Sequence, residues 1–396
     1  MALRAEPLER DAAARAEYST LAVRRAALWG LLLSKLIAGW GVQWDIQWHV
    51  LIGRDSFWIP PHVMTYAGVT LAVFLSAGVL VWETLSSPSP RVGDARIRIL
   101  GLWATRGFHL AAWGIGLTVL AAPIDDLWHR LFGLDVTLWS PPHLLGILGS
   151  AINTIACLLI AREVYPQRPG PRAAALVIAG AMLYGNLHLV VDPSNLVAYR
   201  HGGVLFYTLA ILSAVVLPLA LVTTARVSGL RSAPVLILLV VIPTGMIGAR
   251  IAQAGFVLIE PTSVIEDEIA KDPASSIALA YTIARKNGTL PGRTGGMLHV
   301  FALLPAAIMG ALDARYRPVR ATLGYAVALF AVLGFVLSHR PAMAPMAPGA
   351  AETVVALGLA LTAGLIGGAS ARWLSDSLLA SGESGRPSER ATRPAA

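Results

Sequence analysis

Apolar residues run along this chain in long, nearly uninterrupted blocks. They do not follow the one-face spacing of a water-soluble helix or the alternation of a half-buried strand. Ten blocks stand out, at roughly 26–44, 62–84, 99–123, 143–162, 173–191, 202–224, 234–258, 297–313, 321–338 and 351–371. Each approaches the ~20 residues a helix needs to cross a bilayer. Between them lie Pro, Gly and charge clusters such as SSPSPRVGDARIR, YPQRPGPR and DARYRPVR, which punctuate rather than propagate helices. In hydrocarbon every backbone polar group must be paired within its own segment, so such blocks are expected as helices. The period-2 pattern of a membrane barrel is absent. The pattern predicts an all-α, polytopic transmembrane bundle built partly from repeated helical hairpins. Its expected organisation is an N-terminal tail (1–25), a six-span hairpin-repeat region (26–225), a four-span region with a long loop at 260–296 (226–372) and a disordered tail (373–396).

Composition supports that picture. Hydrophobic residues make up 56% of the 396 and charged residues 14%, with a mean hydropathy of +0.64; soluble domains carry about 25% charged residues. The single cysteine, Cys157, lies inside an apolar block. One cysteine excludes an intrachain disulfide and any cysteine-rich zinc or iron–sulfur site. The net charge of +8 comes from basic residues scattered through short loops, with no basic, aromatic-interleaved patch, so no nucleic-acid partner is expected. Most of the 31 Lys and Arg fall on one side if the N-terminus is cytoplasmic, among them Arg24, Arg25, Arg96, Arg98, Arg168, Arg172, Arg315, Arg317 and Arg320. That bias predicts ten spans with both termini cytoplasmic, in the inner membrane. The first 23 residues are polar and mixed in charge, so no cleavable leader is expected. Lys35, Arg106 and Arg250 fall within blocks.

This topology sorts the histidines. His49, His62, His129, His143, His188, His201, His299 and His339 all lie at or near the outer ends of spans, and only His109 falls mid-span. Two segments repeat in register. Asp45-IQW-His49-VLIGR-Asp55-SFWIPP-His62 and Asp125-DLW-His129-RLFGL-Asp135-VTLWSPP-His143 share D-x-x-W-H, then an Asp, then W-x-P-P-H, with Gly68 and Gly149 each six residues beyond the last His. An Asp and a His four apart share a helix face. The Pro pair suits the first turn of the returning helix, so the hairpin closes with the second His opposite the Asp–His pair. One carboxylate and two imidazoles per copy suit a divalent first-row metal, with copper, zinc and iron all admissible. The predicted ligands are Asp45, His49 and His62 in one set and Asp125, His129 and His143 in the other. Asp55 and Asp135 are placed to bind the metal or to orient a histidine. A degenerate third copy, Asn186-L-His188-LVV-Asp192-PSNLVAYR-His201, has Tyr184 where the carboxylate would stand; it reads either as a decayed site or as an extra ligand pair. The plainer reading is an interfacial belt of Trp44, Trp48, Trp58, Trp128 and Trp139 with accompanying His, which two copies in register make less economical.

The first copy resembles the C subunit of the particulate methane and ammonia monooxygenases, a family of copper membrane enzymes. The residues that carry the likeness are Asp45, His49, Arg54-Asp55, Pro60 and His62, matching a D-x-x-x-H motif, an R-D dipeptide and P-x-H. The resemblance implies a copper site on Asp45, His49 and His62. It implies a second on Asp125, His129 and His143, whose longer His–His spacing also follows the family, as does the acidic Asp135. Where the family has Asn, this chain has Asp125, with Asp126 one residue off. The likeness covers roughly 40–150 and implies a distant relative: a component of a copper-dependent monooxygenase acting on a small apolar substrate, with partner membrane subunits or a homo-oligomer and a quinol donor. Spans 7–10 have no counterpart in that family. Two other functions are compatible with the residues: a non-enzymatic membrane protein for metal transport or sensing, and a haem-binding electron-transfer protein using His pairs.

Of the remaining polar residues, Lys35 and Arg106 are expected to snorkel and His109 to be a satisfied core histidine. Arg250 and Gln253 share a helix face and, with Glu260 and His299, are expected to border one cavity. The loop 260–296, acidic at its start (Glu260, Glu266, Asp267, Glu268, Asp272), reads as a cap on the outer face, as a docking segment for a partner or as a plain solvated loop.

Overall fold

In the computed structural model of the chain, residues 5–53, 56–86, 95–132, 138–167, 169–291 and 299–383 are described. The apolar blocks fold as helices, many opening on the proline that ends the preceding loop. Helix α1 (Ala5–Leu51) turns back into α2 (Pro60–Ser86), and α3 (Arg106–Phe132) into α4 (Pro141–Val164). Then follow α5 (Pro169–Val191), α6 (Ser194–His201), α7 (Thr208–Val216), α8 (Pro218–Ser228) and α9 (Ala233–Ile259). The loop after α9 carries α10 (Ile265–Lys271) and α11 (Ser276–Lys286), and the chain ends with α12 (Leu303–Ala311), α13 (Pro318–Ser338) and α14 (Ala350–Glu383).

The helical membrane bundle is as expected, with local differences. Among the described residues, eight helices are long and apolar enough to span a membrane. The predicted span 26–44 lies inside the 47-residue α1, and the described part of the predicted span 297–313 is the shorter apolar helix His299–Ala311. The predicted span 99–123 begins late, at Arg106. Its expected start is a two-stranded antiparallel hairpin, β1 (Ile97–Ile99) and β2 (Leu102–Ala104). Leu100 and Gly101 both take positive φ, 51° and 86°, the backbone that joins two strands through two residues. Arg106 is therefore the first residue of α3 and exposed, not a mid-span charge. His109 is buried, with its Nε2 3.2 Å from the Ile97 carbonyl, and ties the hairpin to α3. Helix α14 runs on to Glu383 through the first part of the predicted disordered tail; Leu374, Leu378, Leu379 and Ala380 there are good helix formers. The remainder of that tail lies outside the described residues.

One large core runs through the bundle and includes the meeting point of α4, α5 and α8, where Leu158, Ile160, Leu176, Leu183 and Leu221 are fully buried; Trp48, Ile52 and Ile59 form a smaller cluster of their own at the first hairpin turn. Lipid is as apolar as leucine, so helices in a membrane associate through close packing and internal polar contacts. Both features recur in the two hairpins. A Cβ added at Gly68 in α2 would lie 2.6 Å from the Ser34 carbonyl and the Ala38 nitrogen of α1. One added at Gly149 in α4 would lie 2.7 Å from the Gly114 carbonyl and 2.6 Å from the Thr118 nitrogen of α3. These are corresponding positions of the two repeated segments, so each helix pair crosses at the same glycine. Away from the hairpin turns, Arg24 donates to both carboxylate oxygens of buried Glu83 at 2.6 and 2.7 Å, pinning α1 to α2 at their other end. Lys35 donates to Ser150 Oγ at 3.4 Å and so points at α4.

Candidate metal centres

Each hairpin brings its Asp–His–His set together at the turn. In the first, Asp45 and His49 occupy the last turns of α1, with His49 Nε2 3.5 Å from Asp45 Oδ1. Pro60 and Pro61 start α2, which places His62 in its first turn. His62 Nε2 lies 3.1 Å from the same Asp45 oxygen. In the second, Asp125 Oδ2 is 3.5 Å from His129 Nε2, and Asp125 Oδ1 is 3.4 Å from His143 Nε2. The paired rings sit 6.2 Å apart in the first set and 6.3 Å in the second. In each set one ligand atom per residue falls within 4.8 Å of the others, and all six side chains are partly buried.

The hydrogen bonding around the first set decides its chemistry. His62 Nδ1 lies 3.0 Å from the Ser56 carbonyl. A carbonyl only accepts, so Nδ1 carries the proton, and in the neutral ring the Nε2 lone pair points at Asp45. Asp45 Oδ1 is itself buried and accepts no hydrogen bond. A carboxylate oxygen and an imidazole lone pair facing each other at 3.1 Å repel unless a cation or a proton lies between them. Asp125 Oδ1 is likewise buried and without a hydrogen bond. Ligands about 2.0–2.2 Å from a tetrahedral metal stand roughly 3.3 Å apart, close to the separations seen in both sets. The donors are nitrogen and oxygen with no thiolate, so the sets fit a borderline metal of the copper–zinc–iron kind, and the backbone bond that orients His62 is typical of a metal-bound imidazole.

The packing around the two sets differs. Trp48, between Asp45 and His49, is buried and stacks on Phe256 of α9 at 5.9 Å and 20°. Trp44 meets the same ring edge-on at 6.3 Å, while Trp40 and Gln43 donate to the Thr244 and Gly245 carbonyls of α9. These tryptophans are helix-packing residues; Trp58, by contrast, is 73% exposed. The loop after α9 closes on the same end: Ser263 Oγ donates to the Leu51 carbonyl at 2.7 Å and the Val264 amide to the Ile52 carbonyl at 2.8 Å. The start of loop 260–296 is thus fastened to the end of α1. In the second set, Trp139 donates to the Val190 carbonyl of α5 at 2.7 Å, and Trp128 packs on Phe132.

Other assignments change. Asp126 turns away from the second set to pair with Arg130 at 2.6 Å, so Asp125 holds the carboxylate position. Asp55 and Asp135 lie outside the described residues. The third copy does not pair His188 with His201. His201 ends α6 exposed, whereas His188 packs against His299 with ring centres 4.5 Å apart. No spacing rule links residues 188 and 299, and only the fold brings them together. Arg250 and Gln253 hydrogen-bond to each other on the exposed face of α9 at 3.3 Å, and Glu260 ends that helix exposed at the surface, so the expected shared cavity with His299 is not formed by these contacts. No family model, curated protein or solved structure matches the chain.

Proposed function

We propose that this chain is an integral membrane metal-binding protein with two Asp–His–His sites at the outer face of the inner membrane, both termini being cytoplasmic. The proposed metal is copper and the proposed role a component of a copper-dependent monooxygenase-like oxidoreductase. One observation carries the metal reading: in each hairpin a buried carboxylate oxygen without a hydrogen bond faces the histidine of the returning helix, His62 at 3.1 Å and His143 at 3.4 Å, with the other histidine 3.5 Å from the same carboxylate. A buried carboxylate oxygen without a partner is costly, and a cation removes that cost. Copper is favoured because nitrogen and oxygen sites bind it more tightly than the other divalent first-row metals. The monooxygenase reading adds the motif likeness and the apolar surroundings, which suit a small apolar substrate. Bound copper would supply dioxygen chemistry. The chain's own part is to hold the ion, to orient His62 through Ser56, and to screen the first site beneath Trp48 and the loop after α9. Partner subunits and a quinol donor belong to the same proposal.

The deciding experiment is metal analysis of purified protein beside a His49→Ala, His62→Ala double variant. The variant is expected to lose about one equivalent of copper. Equal metal in the two proteins would rule out the first site. Substrate-dependent oxygen consumption then separates an oxidase from a carrier, since a carrier binds metal and consumes none.

A further inference from the structure

We propose that His188 and His299 form a third metal site, distinct from the two hairpin sites. His188 lies near the end of α5, and His299 opens the short helix that leads into α12. Their rings stand edge to face, 4.5 Å between centres and 63° between planes. Tyr184 completes the cluster, 5.8 Å from the His299 ring and 6.2 Å from that of His188.

The rings do not hydrogen-bond to each other, and neither has a hydrogen-bond partner among the described residues. His299 Nδ1 is buried and unpaired. A buried imidazole nitrogen without a partner forfeits its hydration, and an ion held between His299 and the neighbouring His188 ring would restore a partner to it. The spacing suits adjacent ligands of one ion. With metal–nitrogen bonds of about 2.0–2.1 Å, the ring centres of two imidazoles on one ion stand roughly 4.5 Å apart at a right angle and roughly 6.4 Å apart when opposed, so the 4.5 Å here fits adjacent positions and the 6.2 and 6.3 Å of the hairpin sets fit wider ones.

Asp192 follows His188 by one turn but does not join the cluster: among the described residues only the two hairpin sets bring three such ligand atoms within 4.8 Å. The third site is therefore a pair of imidazoles, which again calls for a divalent first-row metal with a preference for imidazole. The set borders the second hairpin site through Trp139, whose indole bonds to the Val190 carbonyl between His188 and Asp192.

The test uses Cu²⁺ and the full chain in detergent. A variant carrying Asp45→Ala, His62→Ala, Asp125→Ala and His143→Ala is titrated, and its bound copper read by metal analysis and by electron paramagnetic resonance. About one equivalent is expected to remain, with splitting from two nitrogens, and to disappear when His299→Gln is added. Copper absent from the fourfold variant, or copper that survives His299→Gln, would overturn the proposal. Should the fourfold variant not fold, His299→Gln alone is compared with wild type: a fall of about one equivalent supports the third site, and no fall sinks it. Failure of the hairpin sites has a different signature, since His62→Ala and His143→Ala would then leave the copper content unchanged while His299→Gln lowered it.

Discussion

Asp45 illustrates what a single side chain does here. Its Oδ1 serves both histidines of the first set, whereas the two oxygens of Asp125 divide between His129 and His143. Replacing Asp45 by Asn keeps the shape and removes the charge. Asp45→Asn is expected to weaken copper binding at the first site by at least ~10-fold and to leave the second site intact, as read by competitive titration with a chelator. Both sites need neutral imidazoles and an ionised carboxylate, so acidification is expected to release the metal. Dialysis at stepwise lower pH checks this: retained copper should fall as pH falls, and retention independent of pH would argue against histidine ligation. Most of the first two sets was legible in the sequence. Asp45 with His49, and Asp125 with His129, are one helical turn apart, and a short proline-ended turn returns the second His. The protonation of His62 was not legible, because it depends on which carbonyl its Nδ1 meets.

At the scale of elements, the hairpins are set by where their helices touch. Gly68 and Gly149 meet the partner backbone with no room for a methyl group. Gly149→Ala is expected to force α3 and α4 apart, cost about 1–3 kcal/mol and loosen the second site selectively. Thermal unfolding together with site-resolved copper titration would show this, and a Gly149→Ala protein with unchanged affinity at both sites would contradict it. The first site leans on α9 through Trp48 and Phe256, so Phe256→Ala should weaken that site and spare the other. The apolar blocks told little about such contacts. They marked where helices lie, but residues 97–104 are apolar too and fold as a hairpin, because the turn at Leu100–Gly101 is a local backbone event that hydropathy does not register.

At the scale of the whole molecule, antiparallel neighbours place both hairpin turns, the end of α5 and the start of the 299–311 helix at one end of the bundle. On the proposed topology the Lys and Arg bias puts that end outside. With Cys157 replaced by Ala, Phe57→Cys is expected to react with a membrane-impermeant maleimide in intact cells, and Tyr316→Cys only after lysis; the reverse pattern would invert the orientation. Phe57 and Tyr316 are 53% and 77% exposed, so access is decided by side and not by burial. The sequence by itself determined the membrane class, the approximate spans and the two local Asp–His–His sets, because hydropathy and short helical spacings are properties of contiguous residues. Only the tertiary structure decided that His188 meets His299 and not His201, that Asp125 and not Asp126 faces its histidines, and that the loop after α9 is fastened to the end of α1. Those outcomes depend on how helices distant in the chain cross and on which face each turns inward, and no local pattern encodes either.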